Sequence, residues 1–412
     1  MLKSADHNGQ RLARARLRRR WTQERLARES GFSVATIRAI EQGRRSLDNM
    51  GQLLTFARAL GVPVTDLTGQ PYAASSPEQD AGQGAVAGIR RELLLAEREP
   101  RISDEQAVSV SIPALRGRVE DMSGRHRSAA LASMGHDLPA LLHDLRAARH
   151  AAPAAQRATV YGLLAQAYEA AMDMLKQTGY VADATAAIER ARWAAQLSGD
   201  PLRALTVEWH YSGEFIRVGE LDDATDIIEG GLRELRPLAR EDVTATALTG
   251  AYELKASLVA ARAGETVATW ERWERARVIG EEIGRDLNEP LAFGPSNVAI
   301  WSVALPVEML DGGEAVRRAR QVNPVLGSLV PAATIAPGRY SRERLSRHWI
   351  DVGRAYYYRA DRNRALSSIL EAERIAPHKT RINPAAREVV SHLLRSRRKN
   401  DLVELALRMG VA

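Results

Sequence analysis

Apolar residues in the first seventy positions recur at helical spacing, in short stretches divided by turn signals. Leu12 and Leu17 mark a stripe on an Arg-rich helix expected from about Gly9 to Arg19. Thr22 is placed to cap a second helix. Arg25 stands where the Glu of a capping box would be, so that cap is half formed. Leu26 and Ala27 face inward on it and Gly31 ends it. Ser33 caps a third helix with Ile37 and Ile40 on one face, and Gly43 closes it. Leu53, Leu54, Ala57 and Leu60 define a fourth helix ending at Gly61, and Val62–Leu67 makes a last short turn. The pattern predicts a compact five-helix domain over residues 1–68.

Residues 69–88 are rich in Gly, Pro, Ser and Gln with few apolar anchors, which predicts a flexible linker. From Ile89 onward the chain reads as successive helices with Gly or Pro breaks and no credible strand, so the fold class is all-α. Within residues 89–412 the positions Trp349, Val352, Gly353, Tyr356, Ala365, Ile369, Ala372 and Pro377 alternate large and small side chains over two helices. Small residues of this kind let helices cross closely while large ones fill the adjoining gaps. The pattern leaves Tyr357 and Tyr358 to face outward. Ala184, Ile188 and Ala191 recur forty residues later as Ala224, Ile228 and Gly231, with Ser212 and Phe215 on the helix before the second copy. A third unit turns at Ala263-Gly264-Glu265 and carries Trp273 and Ala276 on its second helix. Helix pairs that cannot bury their apolar faces alone stack into a superhelix with a concave inner surface. Helices near Pro384–Arg395 and Asp401–Met409 would end the stack, with Leu402, Leu405 and Leu407 inward and Arg395–Lys399 wet.

Charge sharpens the division. The chain has 412 residues and a net charge of +7, and residues 1–70 hold 13 Lys and Arg against 6 Asp and Glu. The whole excess therefore lies in the N-terminal domain, on an otherwise neutral body. That is the electrostatic footprint of a nucleic-acid binder. There are no cysteines, which excludes disulfides, thiolate metal sites and a Cys nucleophile and fits a reducing cytoplasm. The first residues are charged and carry no apolar signal core. The longest apolar run, Val298–Leu310, is interrupted by Ser302, Pro306 and Glu308 and is too short to span a bilayer. A soluble cytoplasmic protein without a membrane partner is expected.

The run from Trp21 to Arg45, with Leu53-Leu-Thr-Phe-Ala-Arg-Ala-Leu-Gly-Val62 after it, resembles the Xre/Cro-like helix-turn-helix of phage repressors over residues 9–67. The resemblance implies that the third helix enters the major groove of double-stranded DNA. Ser33, Val34, Ala35, Thr36 and Arg38 would then face base edges. Thr22 starts the second helix, Gln23 matches a phosphate-binding position, and Arg44 and Arg45 would also touch phosphate. Arg16 and Glu41 match a buried salt bridge of the family. The groove-facing positions depart from many relatives in being small and apolar; Val34, Ala35 and the Thr36 methyl suit thymine methyl groups, which leaves bidentate reading to Arg38. With the body, the chain looks like actinobacterial-type regulators that join such a module to tetratricopeptide repeats. It resembles peptide-sensing regulators of the same domain order more distantly. The stretch Phe293–Trp301 is similar to a recurrent segment of the actinobacterial group. The resemblance implies a homodimeric transcription regulator tuned by a peptide, metabolite or protein in the repeat groove.

Candidate chemistry beyond this is sparse. His126 and His136, and His143 and His150, lack the spacing of a shared metal site. No Gly-rich phosphate loop is followed by Lys, and Glu281 and Glu282 are adjacent and so point to different helix faces. No enzyme activity, catalytic residue, metal or cofactor is expected. Tyr211 and Arg217, Tyr252 beside Lys255, and Asn297 with Trp301 are the groove candidates. For the aromatic residues the competing role is core packing; for Asn297 it is helix capping. An alternative reading is an interaction scaffold tethered to DNA. A sensor should hold a closed polar-aromatic pocket, a scaffold an open charged channel.

Overall fold

The computed structural model describes residues 6–72, 77–98, 111–287, 291–329, 341–396 and 399–412. All of its regular elements are α-helices. The first five are α1 (Asn8–Arg18), α2 (Gln23–Ser30), α3 (Val34–Glu41), α4 (Met50–Leu60) and α5 (Val64–Thr68). Their caps are local. Thr22 Oγ1 accepts the Arg25 amide and Ser33 Oγ the Thr36 amide, while Gly31 and Gly61 end α2 and α4 in the left-handed conformation. Leu12, Leu26, Ile37, Ile40, Leu53, Phe56, Leu60 and Leu67 form a core belonging to these helices alone. Leu17, expected on the buried stripe of α1, is instead 59% exposed. It lies five positions after Leu12, a step that carries it off the face of Leu12 and Ala15.

The body begins earlier than expected. Pro77–Leu94 is one helix, α6, and so the 69–88 segment is not linker throughout. Proline suits the first turn of a helix, and Val86, Ile89 and Leu93 give α6 an apolar face buried in the body core. Residues 73–76 of the expected linker lie outside the described residues.

Helix pairs follow as a solenoid: α7 (Ile112–Arg127) and α8 (Leu131–Ala151), α9 (Ala154–Thr178) and α10 (Val181–Ser198), α11 (Pro201–Val218) and α12 (Leu221–Leu238). Then come α13 (Val243–Ala263) and α14 (Thr266–Ile283), α15 (Pro295–Glu308) and α16 (Gly312–Leu329), and α17 (Arg342–Tyr358) and α18 (Arg362–Ile375). A short α19 (Pro377–Arg381) leads to α20 (Pro384–Ser396) and α21 (Asn400–Met409). The repeating small residues mark the crossings. A Cβ on Gly231 would lie 2.3 Å from the Tyr252 ring, and one on Gly353 would lie 2.8 Å from Ile369 Cδ1. At the end of the stack Leu402 and Leu405 are buried, whereas Leu407 is 51% exposed. Leu405 and Leu407 are two residues apart and cannot share one helix face.

The N-terminal domain is docked on the C-terminal end of the body through buried polar groups. Arg354 Nε donates to Asp48 Oδ2 at 2.8 Å, and Tyr358 Oη donates to the same oxygen at 2.7 Å. Glu388 accepts the backbone amides of Asn8 and Leu47, and Asn49 Nδ2 donates to the Glu308 carbonyl. Tyr357 bonds His392 Nδ1 through its hydroxyl. Tyr357 and Tyr358 therefore do not face outward; both serve this joint. Arg395, exposed as expected, also donates to the Gln42 carbonyl, and Arg397 and Arg398 lie outside the described residues.

Candidate nucleic-acid interface and the cavity behind it

The helix-turn-helix keeps its outer face clear of the body. Ser33, Ala35 and Arg38 are exposed and Val34 and Thr36 are half-buried, as is Gln23 at the start of α2. Arg44 and Arg45 are exposed just past α3, their amides both bonded to the Ala39 carbonyl. Trp21 is flanked by Arg19 and Arg25, which adds cations beside the N-terminus of α2. Several groups expected at DNA have partners within the domain. The Ser33 and Thr36 hydroxyls bond each other at 2.9 Å. Gln23 Nε2 donates to Glu41 Oε2 at 2.8 Å, and its Oε1 accepts from Arg38 Nε at 3.4 Å. Behind them Arg16 grips Glu41 at 2.6 and 2.8 Å, with both side chains about nine-tenths buried. The pair fixes the end of α3 against α1 and anchors Gln23 through the same carboxylate. Val34, Ala35 and Thr36 present apolar surface, while Arg38, Arg44 and Arg45 supply donors, the division that base and phosphate contacts require.

Sequence reasoning had no reason to join His7, Glu388 and His392, whose ligand atoms lie within 4.8 Å of one another at the joint. Glu388 Oε1 is 3.1 Å from His392 Nε2. His7 Nδ1 accepts the Gly9 amide and caps α1, which leaves the proton of the neutral ring on Nε2. A cation at that nitrogen would require either an imidazolate or loss of the cap, and the Arg395 charge stands nearby. The joint is hydrogen-bonded through Glu388 and His392, while His7 Nε2 is buried with no hydrogen-bond partner among the described residues. Burial lowers the His7 pKa to about 4, against the opposing pull of Glu388 and assisted by His392, Arg395 and Arg11.

A cavity of about 990 Å³ opens between the domain and the concave side of the body. The domain supplies an apolar wall from α4 and α5, including Met50, Leu54, Ala57, Val62 and Val64. The body supplies cations: Lys176, Arg217, Lys255, Arg262, Arg347 and Lys379. Most are paired. Arg217 meets Glu214 at 2.7 Å, Arg262 meets Glu308 at 3.0 Å and Lys176 meets Asp173 at 3.3 Å. Burial pushes Lys255 well down; its ammonium lies over the Trp209 ring and donates to the Trp209 carbonyl.

Of the residues expected in the groove, Arg217 lines this cavity, as does Lys255. Tyr211, Tyr252, Asn297 and Trp301 are not among its lining residues. Tyr252 is fully buried and donates to the Leu205 carbonyl, and Asn297 is buried in the first turn of α15. Tyr211 packs under Arg192 and against Phe215, and Trp301 packs on the core of the middle repeats. Their aromatic periodicity reports core packing. The cations Lys176, Arg347 and Lys379 were missed because they come from three separate helices and follow no local motif.

The sequence profile of a helix-turn-helix domain matches residues 9–68, which agrees with α1–α5. No curated protein matches the chain. Among solved structures, the crystal structure of BtubC (BKLC) from P. vanneervenii is similar at 14% identity and a TM-score of 0.38, covering 64% of this chain and 92% of that one. The N-terminal unit is a helix-turn-helix DNA-binding domain, and among the described residues no helix is long and apolar enough to cross a membrane.

Proposed function

We propose that the chain is a sequence-specific, cytoplasmic transcription regulator of the Xre type whose body, built from tetratricopeptide-like repeats, senses a ligand. The observation that carries this reading is the orientation of the helix-turn-helix: α2 and α3 present their basic outer face to solvent while the opposite side of the domain closes a cavity on the body. Double-stranded DNA is the partner for that face, and the chain is a binding protein rather than an enzyme. One module of this kind covers one half-site, so a homodimer on a pseudo-palindromic site is expected. The mixed lining of the cavity favours a small ligand over an extended protein partner.

The test is selection from a random-sequence DNA pool by the full chain, followed by binding titrations at several salt concentrations. A pseudo-palindromic site should emerge. Arg44→Ala and Arg45→Ala should weaken binding to selected and random DNA alike, each lowering the salt slope by about one. Arg38→Ala should instead change the preferred sequence. Equal losses for all three variants on both DNAs would remove the assigned roles. Native mass spectrometry of the full chain after exposure to a cell extract tests the sensor: a discrete added mass supports it, and its absence opposes it.

A further inference from the structure

The wall that the body contributes to the cavity is cationic beyond what its carboxylates neutralise. Lys379 on α19 is only 8% exposed, and its Nζ is buried with no hydrogen-bond partner among the described residues. Neither Lys379 nor Lys255 has a carboxylate within ion-pair distance among those residues, although both are buried. The carboxylates nearest in charge to Lys379, those of Glu343 and Asp173, also serve Arg347 at 3.7 Å and Lys176 at 3.3 Å. Arg347, in the same wall, leaves 67% of its side chain exposed and so can reach an occupant. Burying an ammonium without a partner is strongly unfavourable unless something supplies the missing charge and acceptor. The opposite wall, from the DNA-binding domain, supplies no carboxylate: Met50, Leu54, Val62 and Val64 are apolar, Thr65 and Gln70 are neutral and Arg58 adds a further cation.

Resting on the ligand-sensing reading above, we infer that the cavity binds an amphipathic anion, its carboxylate or phosphate head on Lys379 and Arg347 and its apolar body against α4 and α5. Such a molecule would touch both domains at once. It would recover the charge that Lys379 lacks and cover the apolar wall, stabilising the docked domain by linkage. Burial lowers the Lys379 pKa, against the opposing pull of Glu343 and Asp173, as expected of a cation whose own surroundings do not hold its charge.

Calorimetric titration of the full chain with decanoate, decyl phosphate, decan-1-ol and inorganic phosphate tests the inference. Decanoate or decyl phosphate should bind once per chain, and the tighter of the two identifies the head group. Decan-1-ol and inorganic phosphate should each bind at least about tenfold more weakly, since each lacks one half of the recognition. Lys379→Met and Arg347→Met should each weaken the anion about tenfold and leave decan-1-ol unchanged. Without ligand, Lys379→Met should melt at or above the wild-type temperature, because a buried unpartnered charge is gone. A lower melting temperature would mark Lys379 as a structural group and overturn the inference. Equal binding of decan-1-ol and decanoate, insensitive to Lys379, would overturn the anionic head group while leaving a ligand cavity in place. No saturable binding of any probe would overturn the inference; the sensing reading itself falls only if the extract experiment also yields no added mass.

Discussion

Two buried arginine–carboxylate pairs organise this chain at different levels. Arg16 and Glu41 are 25 residues apart and lie inside the DNA-binding domain, next to a core built on Leu12, Ile37 and Ile40. Arg354 and Asp48 are 306 residues apart and join that domain to the body, and the domain's apolar core does not merge with the cores of the repeats. The first pair adds to packing that is already cooperative. The second belongs, with Tyr358, Ser46, Glu388 and Asn49, to the polar part of the attachment, to which Arg395 and the Arg58–Glu220 pair add. Buried ion pairs add little net stability over apolar contacts yet penalise any misplacement. A joint made this way fixes the orientation of the domain on the body.

The largest effect is expected at Arg354. Arg354→Met leaves Asp48 and Asp351 buried without their cation and should weaken docking by about 4 kcal/mol. Glu41→Ala strands Arg16, which keeps the Trp21 carbonyl, and should cost about 3 kcal/mol within the domain. Hydrogen exchange separates the two. Arg354→Met should expose amides at the joint, those of Asn8 and Leu47, while α3 stays protected; Glu41→Ala should loosen α2 and α3. The same protection pattern from both variants would dissolve the distinction.

Acid should act on the joint before it acts on the domain. His7 is buried in its neutral form with a pKa lowered from 6.5 to about 4, chiefly by burial, with Glu388 opposing and His392, Arg395 and Arg11 assisting. The docked ring stays neutral until about pH 4, so protonation opposes docking as pH falls from about 6.5 towards 4. Asp48 follows lower down. Burial raises its carboxyl, but the charge and hydrogen bonds of Arg354 with those of Tyr358 and Ser46 hold it below the usual range. Its contribution is therefore complete above about pH 4 and lost beneath. His7→Asn keeps a side chain able to cap α1 and removes the titration. Protection at the joint, taken relative to the intrinsic exchange rate at each pH, should then be flat between pH 7 and pH 5; an unchanged pH dependence would place the switch elsewhere.

The same contrast explains what could be read in advance. The caps Thr22 and Ser33, the stop glycines and the Ile37/Ile40 face act over one or two helical turns, so periodicity reports them directly. The small-residue crossings at Gly231 and Gly353 repeat along the chain and were legible for that reason. Tyr358, Glu388 and Lys379 gain their roles only when distant segments meet, and a polar residue on a helix carries no periodic mark of its future partner. Tyr252 shows the converse error. An aromatic beside a lysine suggested a ligand site, but its ring fills the gap above Gly231 and its hydroxyl is satisfied by a carbonyl. The helix that begins at Pro77 within the 69–88 segment was hidden by its composition, since Gly and Gln content masks the spacing of Val86, Ile89 and Leu93.

The finest test of the joint uses two hydroxyls on one carboxylate. Tyr358 reaches Asp48 from the body at 2.7 Å, and Ser46 reaches it from within the domain at 2.7 Å. Each removal deletes one hydrogen bond to a charged acceptor that keeps Arg354, and Tyr358→Phe also takes away the hydroxyl that accepts from Arg354 Nη2 at 3.2 Å, so the cost should be about 1.5 kcal/mol for Ser46→Ala and somewhat more for Tyr358→Phe. The costs should fall in different places. Tyr358→Phe should weaken docking and leave the unfolding of the domain itself unchanged. Ser46→Ala should also loosen the turn between α3 and α4, because Ser46 and Asp48 bond each other whether or not the body is present. Exchange at Gln52, whose amide is held by Asn49 in that turn, reads the difference. If Tyr358→Phe accelerated exchange there as much as Ser46→Ala, Asp48 would be a member of the domain's own fold that the body merely covers.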